Sequence, residues 1–319
     1  MTGDRGPLVM KPDESGIFAA AAALRAGDIV ALPTETVYGL AARADSDEAV
    51  ARIYRAKGRP AFNPLIVHVL DIEQAATLGR IDDRAARLAK AFWPGPLTII
   101  VPLREDASLA DAVAAGLPTV ALRSPAHPVM RGVLKKAGVP LAAPSANRSG
   151  SVSPTCAEHV IASLGTVPAL IVDGGACPAG IESTIVALRE GGGWQILRPG
   201  PVSAAQIADL IGPAQSAPSS GTIEAPGQLA RHYAPGKPVR LNAVQAGPDE
   251  FHIGFAEIPG DECLSPAGDL AEAASRLYGA LHKAAAAPKA RIAVAPIPER
   301  EMGIAINDRL RRAAADADD

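Results

Sequence analysis

Residues 32–68 read LPTETVYGLAARADSDEAVARIYRAKGRPAFNPLIVH, and this stretch decides the fold. An apolar run, DIVAL over 28–32, enters it and stops at Pro33, Thr34, Glu35 and Thr36. A strand therefore ends there, with hydroxyls and a carboxylate aimed beyond its tip. The spacing next predicts a helix, because Asp45-Ser46-Asp47-Glu48 offers a cap while Ala49, Val50, Ile53 and Tyr54 make one apolar stripe. The helix runs out through Arg55, Lys57 and Arg59. LIVHV over 65–69 then reads as a second strand carrying His68.

Lys57-Gly58-Arg59 admits two readings. Cations at a helix C-terminus suit the macrodipole and need only solvent, and spacing alone favours that account. In the other, Gly58 turns the backbone tightly and Pro60, Asn63 and Pro64 stiffen the exit. A planar guanidinium and a compact ammonium then converge on a polyphosphate.

The whole chain narrows the classes. Its 319 residues suggest two domains, and 48% apolar with 20% charged residues is ordinary globular composition. A net charge of −3 argues against a general polyanion binder, so any nucleic-acid contact is a local patch. Cys156, Cys177 and Cys263 are scattered without a CxxC pair, which excludes a disulfide framework and a cysteine zinc site and fits a reducing cytoplasm. The opening MTGDRGPLVM lacks a signal-peptide pattern, and the longest apolar run, 17–24, falls short of the ~20 residues that span a bilayer.

Further along, helices are predicted at about 82–93, 127–137 and from Ser153-Pro154-Thr155 to Gly165, with strands at 97–101, 119–125, 139–147 and 169–175. The runs 183–188 and 194–200 flank Gly191-Gly192-Gly193 as a hairpin, and Ser203 with Gln206 caps a helix to about 211. Residues 212–238 are rich in Pro, Gly, Ser and Ala, a linker composition, yet they contain Gln228, Arg231, His232 and Tyr233. Beyond lies strand–helix alternation, with helices near 269–284 and 306–315, which predicts a small doubly wound parallel sheet. The division is a large domain over 10–211, a linker over 212–238 and a C-terminal domain over 239–319.

No GxxxxGK[ST], GxGxxG, HExxH or GxSxG occurs, which removes Walker, dinucleotide, zincin and hydrolase readings. What remains is polar clusters at the exits of apolar runs: Thr34 to Thr36, Lys57 to Asn63, Arg123, Ser145 to Asn147, Ser183-Thr184 and Arg198. Open α/β sheets put ligands at such strand ends. Taken singly each is weak. Ser145-Ala146-Asn147 reads as a turn, Arg123 and Arg198 as surface ion pairs, and His68 equally as a hydrogen-bonded core histidine.

In order along the chain, PTETVYGL, KGRPAFNPLIVH, APSANRSGSVSP, GIESTIV, ILRPG and GQLARHYAP resemble the YrdC-like threonylcarbamoyl-AMP synthases. AVAPIPEREMGIAINDRLRRAA is similar to the ending of the longer, two-domain members. The resemblance implies a large YrdC-like α/β domain with a twisted mixed sheet, plus a small Rossmann-like domain. It implies an enzyme, a nucleotidyltransferase, that makes threonylcarbamoyl-AMP and pyrophosphate from L-threonine, bicarbonate and ATP with Mg2+. Partner proteins would then move the group to tRNA beside the anticodon, with weak direct tRNA contact and no membrane. Carried over, Lys57 and Arg59 are the catalytic pair. With Asn63, Thr119, Ser145, Asn147, Ser153, Arg198, His232 and Tyr233 they hold ATP. Thr36, His68, Arg123 and Ser183 line the threonine pocket, and the linker closes over the nucleotide. Metal ligands are not assigned. A non-catalytic RNA-binding module fits poorly with the negative net charge and 3% aromatic content. A carbamoyl-transfer maturation factor would carry acylphosphatase and zinc-finger segments that this sequence does not show.

Overall fold

A computed structural model describes residues 7–189, 191–214, 223–228 and 232–315. Among these residues ten strands form one mixed sheet, in the order Val9–Met10, Leu170–Val172, Val30–Leu32, Gly39–Arg43, Leu141–Ala142, Ile66–His68, Thr119–Arg123, Leu97–Pro102, Thr184–Leu188 and Trp194–Arg198. Four others, Val239–Arg240, Arg291–Val294, Glu250–Gly254 and Glu262–Cys263, form a separate sheet that is parallel throughout.

The large sheet is covered on both faces, as alternation along its strands records. Ala31, Leu40 and Ala42 enter one core with Ile53, Leu88 and Val160. Their neighbours Val30, Leu32 and Ala41 enter another with Leu24, Met130 and Val133, from the paired helices Glu14–Arg25 and Pro128–Ala137. Strands buried on both faces lose the hydrophobic alternation that marks a half-exposed strand. Gly39–Arg43 was missed from sequence for this reason. It runs antiparallel to Val30–Leu32, with Leu32 opposite Gly39, and precedes the helix Asp47–Lys57.

Two helix starts differ from expectation. Ser153-Pro154-Thr155 does not open a helix; the segment Ala157–Leu164 begins after Cys156, and the Ser153 hydroxyl donates to Glu182 at 2.6 Å instead of capping it. The last helix, Met302–Ala314, starts a turn earlier than the sequence suggested.

The small sheet packs on the helices Leu270–Ala286 and Met302–Ala314, and its core does not stop at its own border. Leu277, Tyr278, Ile292 and Ile306 share one apolar cluster with Val37, Val152 and Ile181 of the large sheet's loops and with Tyr233. The approach is close. Gly180 has φ +68°, and a Cβ there would lie 2.4 Å from the Ser275 backbone, so both conformation and space demand glycine.

Candidate functional site

The site is built around the end of the helix Asp47–Lys57. Ser46 caps its start, accepting from the Ala49 N–H at 3.3 Å, and Gly58 at φ +60° lets Arg59 N–H return to the Tyr54 carbonyl. That turn folds Lys57 inward instead of leaving it in solvent. The side chain is buried, and its Nζ donates to the carbonyls of Ser145 (2.6 Å) and Asn147 (2.5 Å). The solvated-terminus reading is thereby overturned. Burial, and next to it the charge of Arg59, pulls the Lys57 pKa well below its ordinary value.

Arg59 is also buried. It donates to the Asn63 carbonyl and Oδ1 and to the Pro64 carbonyl, at 3.0, 2.6 and 2.7 Å, and burial lowers its pKa to about 10. Arg198, 4% exposed, donates to the Ser183 carbonyl and Oγ, both at 3.1 Å, and to the Pro226 carbonyl. Three cations thus converge, and among the described residues no carboxylate is in ion-pair contact with them. Burying charge in that way is costly unless something anionic joins it.

Arg123 is different. It is as buried as Arg198, but its Nη2 pairs with Glu35 Oε1 at 2.6 Å while Nη1 donates to Thr36 Oγ1 at 3.0 Å. Burial pushes Glu35 up, yet the Arg123 charge and hydrogen bond, with the Ala126 N–H, bring it below the usual carboxylate range. Neither Arg123 nor Arg198 is a surface ion pair.

Thr36, Arg59, His68, Arg123, Ser145, Arg198, His232 and Tyr233 line one cavity, together with Thr34, Gly39, Glu182, Pro226 and Gly227. Its free interior is about 50 Å³. Several buried polar atoms beside it have no partner: Asn63 Nδ2, His68 Nδ1, Asn147 Oδ1, His232 Nδ1 and Tyr233 Oη. Native interiors hold few such atoms, so a cluster of them marks a place for a polar ligand. Burial, with the Arg123 charge, lowers His68 to about 3, and burial lowers His232 to about 3, so both rings are neutral at pH 7.

The remaining expected residues sit around this cavity rather than on its wall. The Ser183 Oγ shares a 2.7 Å hydrogen bond with Thr98 Oγ1 and meets Arg198. Ser153 is buried against Glu182, and Asn147 anchors its loop through Nδ2 to the Arg148 and Ser151 carbonyls. Thr119 is at the far end of its strand from Arg123, and the register Ile66↔Ala121 carries it alongside Pro64, on the Arg59 side. Arg231 lies outside the described residues.

Among the wall residues that sequence reasoning did not assign to the site, Glu182 and Gly227 are the most informative. Glu182 lies inside the quoted GIESTIV run, but nothing in that run says its carboxylate is buried. Gly227 has φ +86°, and a Cβ there would come within 2.9 Å of Tyr233 Oη.

Doubly covered sheet, strand-end loops and three buried cations without an ion pair among the described residues define an α/β protein with a polar, cation-rich site. A profile of the Sua5_yciO_yrdC family, described as "Telomere recombination", matches residues 22–200, and one for the "Threonylcarbamoyl-AMP synthase, C-terminal domain" matches 202–315. The chain belongs to this family in its two-domain form. It is 46% identical to the threonylcarbamoyl-AMP synthase of Bacillus subtilis (strain 168), over 73% of this chain and 68% of that protein. It is 38% identical to that of Pyrococcus abyssi (strain GE5 / Orsay), over 95% of both chains. The crystal structure of P. abyssi Sua5 complexed with L-threonine superposes with a TM-score of 0.87, at 36% identity, covering 96% of this chain and 97% of that one.

Proposed function

We propose that this protein is an L-threonylcarbamoyladenylate synthase, a nucleotidyltransferase of tRNA modification. The observation that carries the reading is the convergence of Lys57, Arg59 and Arg198, with no ion-paired carboxylate among the described residues, beside a second subsite where Arg123 is paired. The triphosphate of ATP lies along the first group and L-threonine at the second, its carboxylate on Arg123 and its hydroxyl and methyl toward Thr36, His68 and Ser183. The threonine amine attacks carbon dioxide or bicarbonate to give N-carboxythreonine, with water released in the bicarbonate case. A carbamate oxygen then attacks the α-phosphorus as the bond to pyrophosphate breaks.

The nucleophile comes from the substrate, so the protein's work is to orient the reactants and neutralise charge. Among the described residues no group of three or more His, Cys, Asp or Glu side chains could hold a metal. Mg2+ enters with ATP, held chiefly by its phosphates and by water.

The segment around Tyr233 closes the site. About 50 Å³ is far less than the ~300–1,000 Å³ of a typical ligand pocket, so Pro226, Gly227, His232 and Tyr233 must swing outward to admit ATP. Closed again, they exclude water from a mixed anhydride that would hydrolyse. Downstream, the adenylate passes to proteins that modify tRNA in the cytoplasm; among the described residues no helix is long and apolar enough to cross a membrane.

The test is mass spectrometry after incubation with ATP, L-threonine and bicarbonate. Threonylcarbamoyl-AMP and pyrophosphate are expected in equal amounts, and ATP turnover without the adduct overturns the reading.

A further inference from the structure

Glu182 is a buried carboxylate on the cavity wall, and the small domain supplies its counter-charge. Arg309 Nε donates to Glu182 Oε2 at 3.0 Å, and Tyr278 Oη donates to the same oxygen at 2.8 Å. Ser153 Oγ donates to Oε1 at 2.6 Å. Arg309 is fully buried although it is an arginine, on the apolar stripe that also carries Ile306, Leu310 and Ala313. Its Nη1 pairs with Asp308 Oδ2 at 2.7 Å, but Asp308 is shared with Arg312, so the Arg309 charge is not consumed there. The guanidinium also lies 5.4 Å from the centroid of the Tyr233 ring.

The consequence concerns Arg198. It and Arg309 are the two cations that act most strongly on Glu182, yet only Arg309 is in ion-pair contact with it. Arg198 uses its N–H groups on the Ser183 and Pro226 oxygens and keeps its charge for the cavity. A buried carboxylate deprived of Arg309 and Tyr278 would turn to the remaining cation, because an unpaired buried charge is far more costly than a paired one.

We propose that Arg309 is a positioning residue of the reaction. By holding Glu182 together with Tyr278, it keeps Arg198 out of an ion pair and available to the nucleotide, so the small domain completes the anion end of the site. This rests on the assignment of that end to ATP. It gives the small domain a role that a tether would not have.

Calorimetric titration of the full chain with ATP, and separately with L-threonine, tests this. Arg309→Met should weaken ATP binding by about tenfold or more, the loss of one charge-assisted contact, while threonine binding stays within about twofold. The double variant Glu182→Gln/Arg309→Met removes the carboxylate that would capture Arg198 and should recover ATP affinity to within about twofold of the parent. Tyr278→Phe keeps the packing and should show a smaller loss of the same kind; it carries the test if the methionine variant melts early. Unchanged ATP affinity in Arg309→Met or in Tyr278→Phe overturns the inference. So does a double variant as weak as the single one, the pattern of a residue that only props the fold. A parent chain that binds no ATP would instead defeat the functional assignment.

Discussion

At one end of the cavity Arg123 is paired with Glu35. Toward the other, Arg59 and Arg198 on the wall and Lys57 behind it donate, among the described residues, to carbonyls, an amide oxygen and a hydroxyl. All four cations are buried. The contrast is therefore one of charge, not of exposure. A neutral ion pair meets an amino-acid zwitterion without leaving net charge in a low-dielectric space, whereas three cations outside any ion pair suit a polyphosphate. The two groups therefore suit ligands of different charge before any shape is considered.

The contrast is broken most severely at the unpaired end. Lys57→Ala and Arg59→Ala should each lower kcat/KM by about a hundredfold, the cost of ~3 kcal/mol of lost transition-state stabilisation. The far-ultraviolet circular dichroism should stay unchanged, since neither residue is part of an apolar core. Pyrophosphate release measures it, and near-parental turnover in either variant removes the anion role. Arg123→Ala should act on the other substrate. The threonine KM is expected to rise by about tenfold or more with a much smaller change for ATP, because a guanidinium is matched to one carboxylate. Equal changes in both values would erase the distinction between the ends.

What the sequence could and could not say follows the same division. The turn at Gly58 and the polar strand ends were legible, since backbone geometry and apolar periodicity are local. The all-parallel second sheet was legible too, because strand–helix alternation needs little else. Burial of Lys57 and Arg198 was not. Local spacing favours solvent for a cation, and only the Ser145–Asn147 carbonyls, some ninety residues away, draw Lys57 inward. The role of Glu182 was hidden for the same reason, its partners standing at Tyr278 and Arg309. Arg309 did leave one trace, a charge on the buried stripe of its helix.

A gentler perturbation opens the cavity without touching either end. Tyr233 holds φ +63°, a strained value for a tyrosine, and stacks 5.6 Å from Tyr278. Tyr233→Ala should leave the threonine KM near the parental value and raise the ratio of ATP consumed to adduct recovered, as water reaches the anhydride, by a few-fold (about 1 kcal/mol). A ratio equal to that of the parent would mean the segment only joins two domains.

The smallest effect is thermal and concerns the neutral rings at both ends. His68 and His232 fall to about 3 and His159, stacked on His282 between the two domains, to about 4, in each case chiefly because burial disfavours the charged ring. The unfolded chain binds those protons near pH 6.5, so the folded state holds fewer, and stability rises with pH. It is fully present above about pH 6.5 and is lost progressively as pH falls toward the folded values. Glu35 and Glu182 are also depressed, but their contribution persists until pH drops below the ordinary carboxylate range. Between pH 6.5 and 5 the histidines therefore act alone. Scanning calorimetry should show Tm falling across that window, and His68→Gln should flatten the fall by about 1 kcal/mol at pH 5.5, one unit below the unfolded value. An equally steep fall in the variant would mean that His68 takes up its proton in the folded protein. Then the Arg123 end would carry a second positive charge in acid, and the two ends would differ less than their ion pairs suggest.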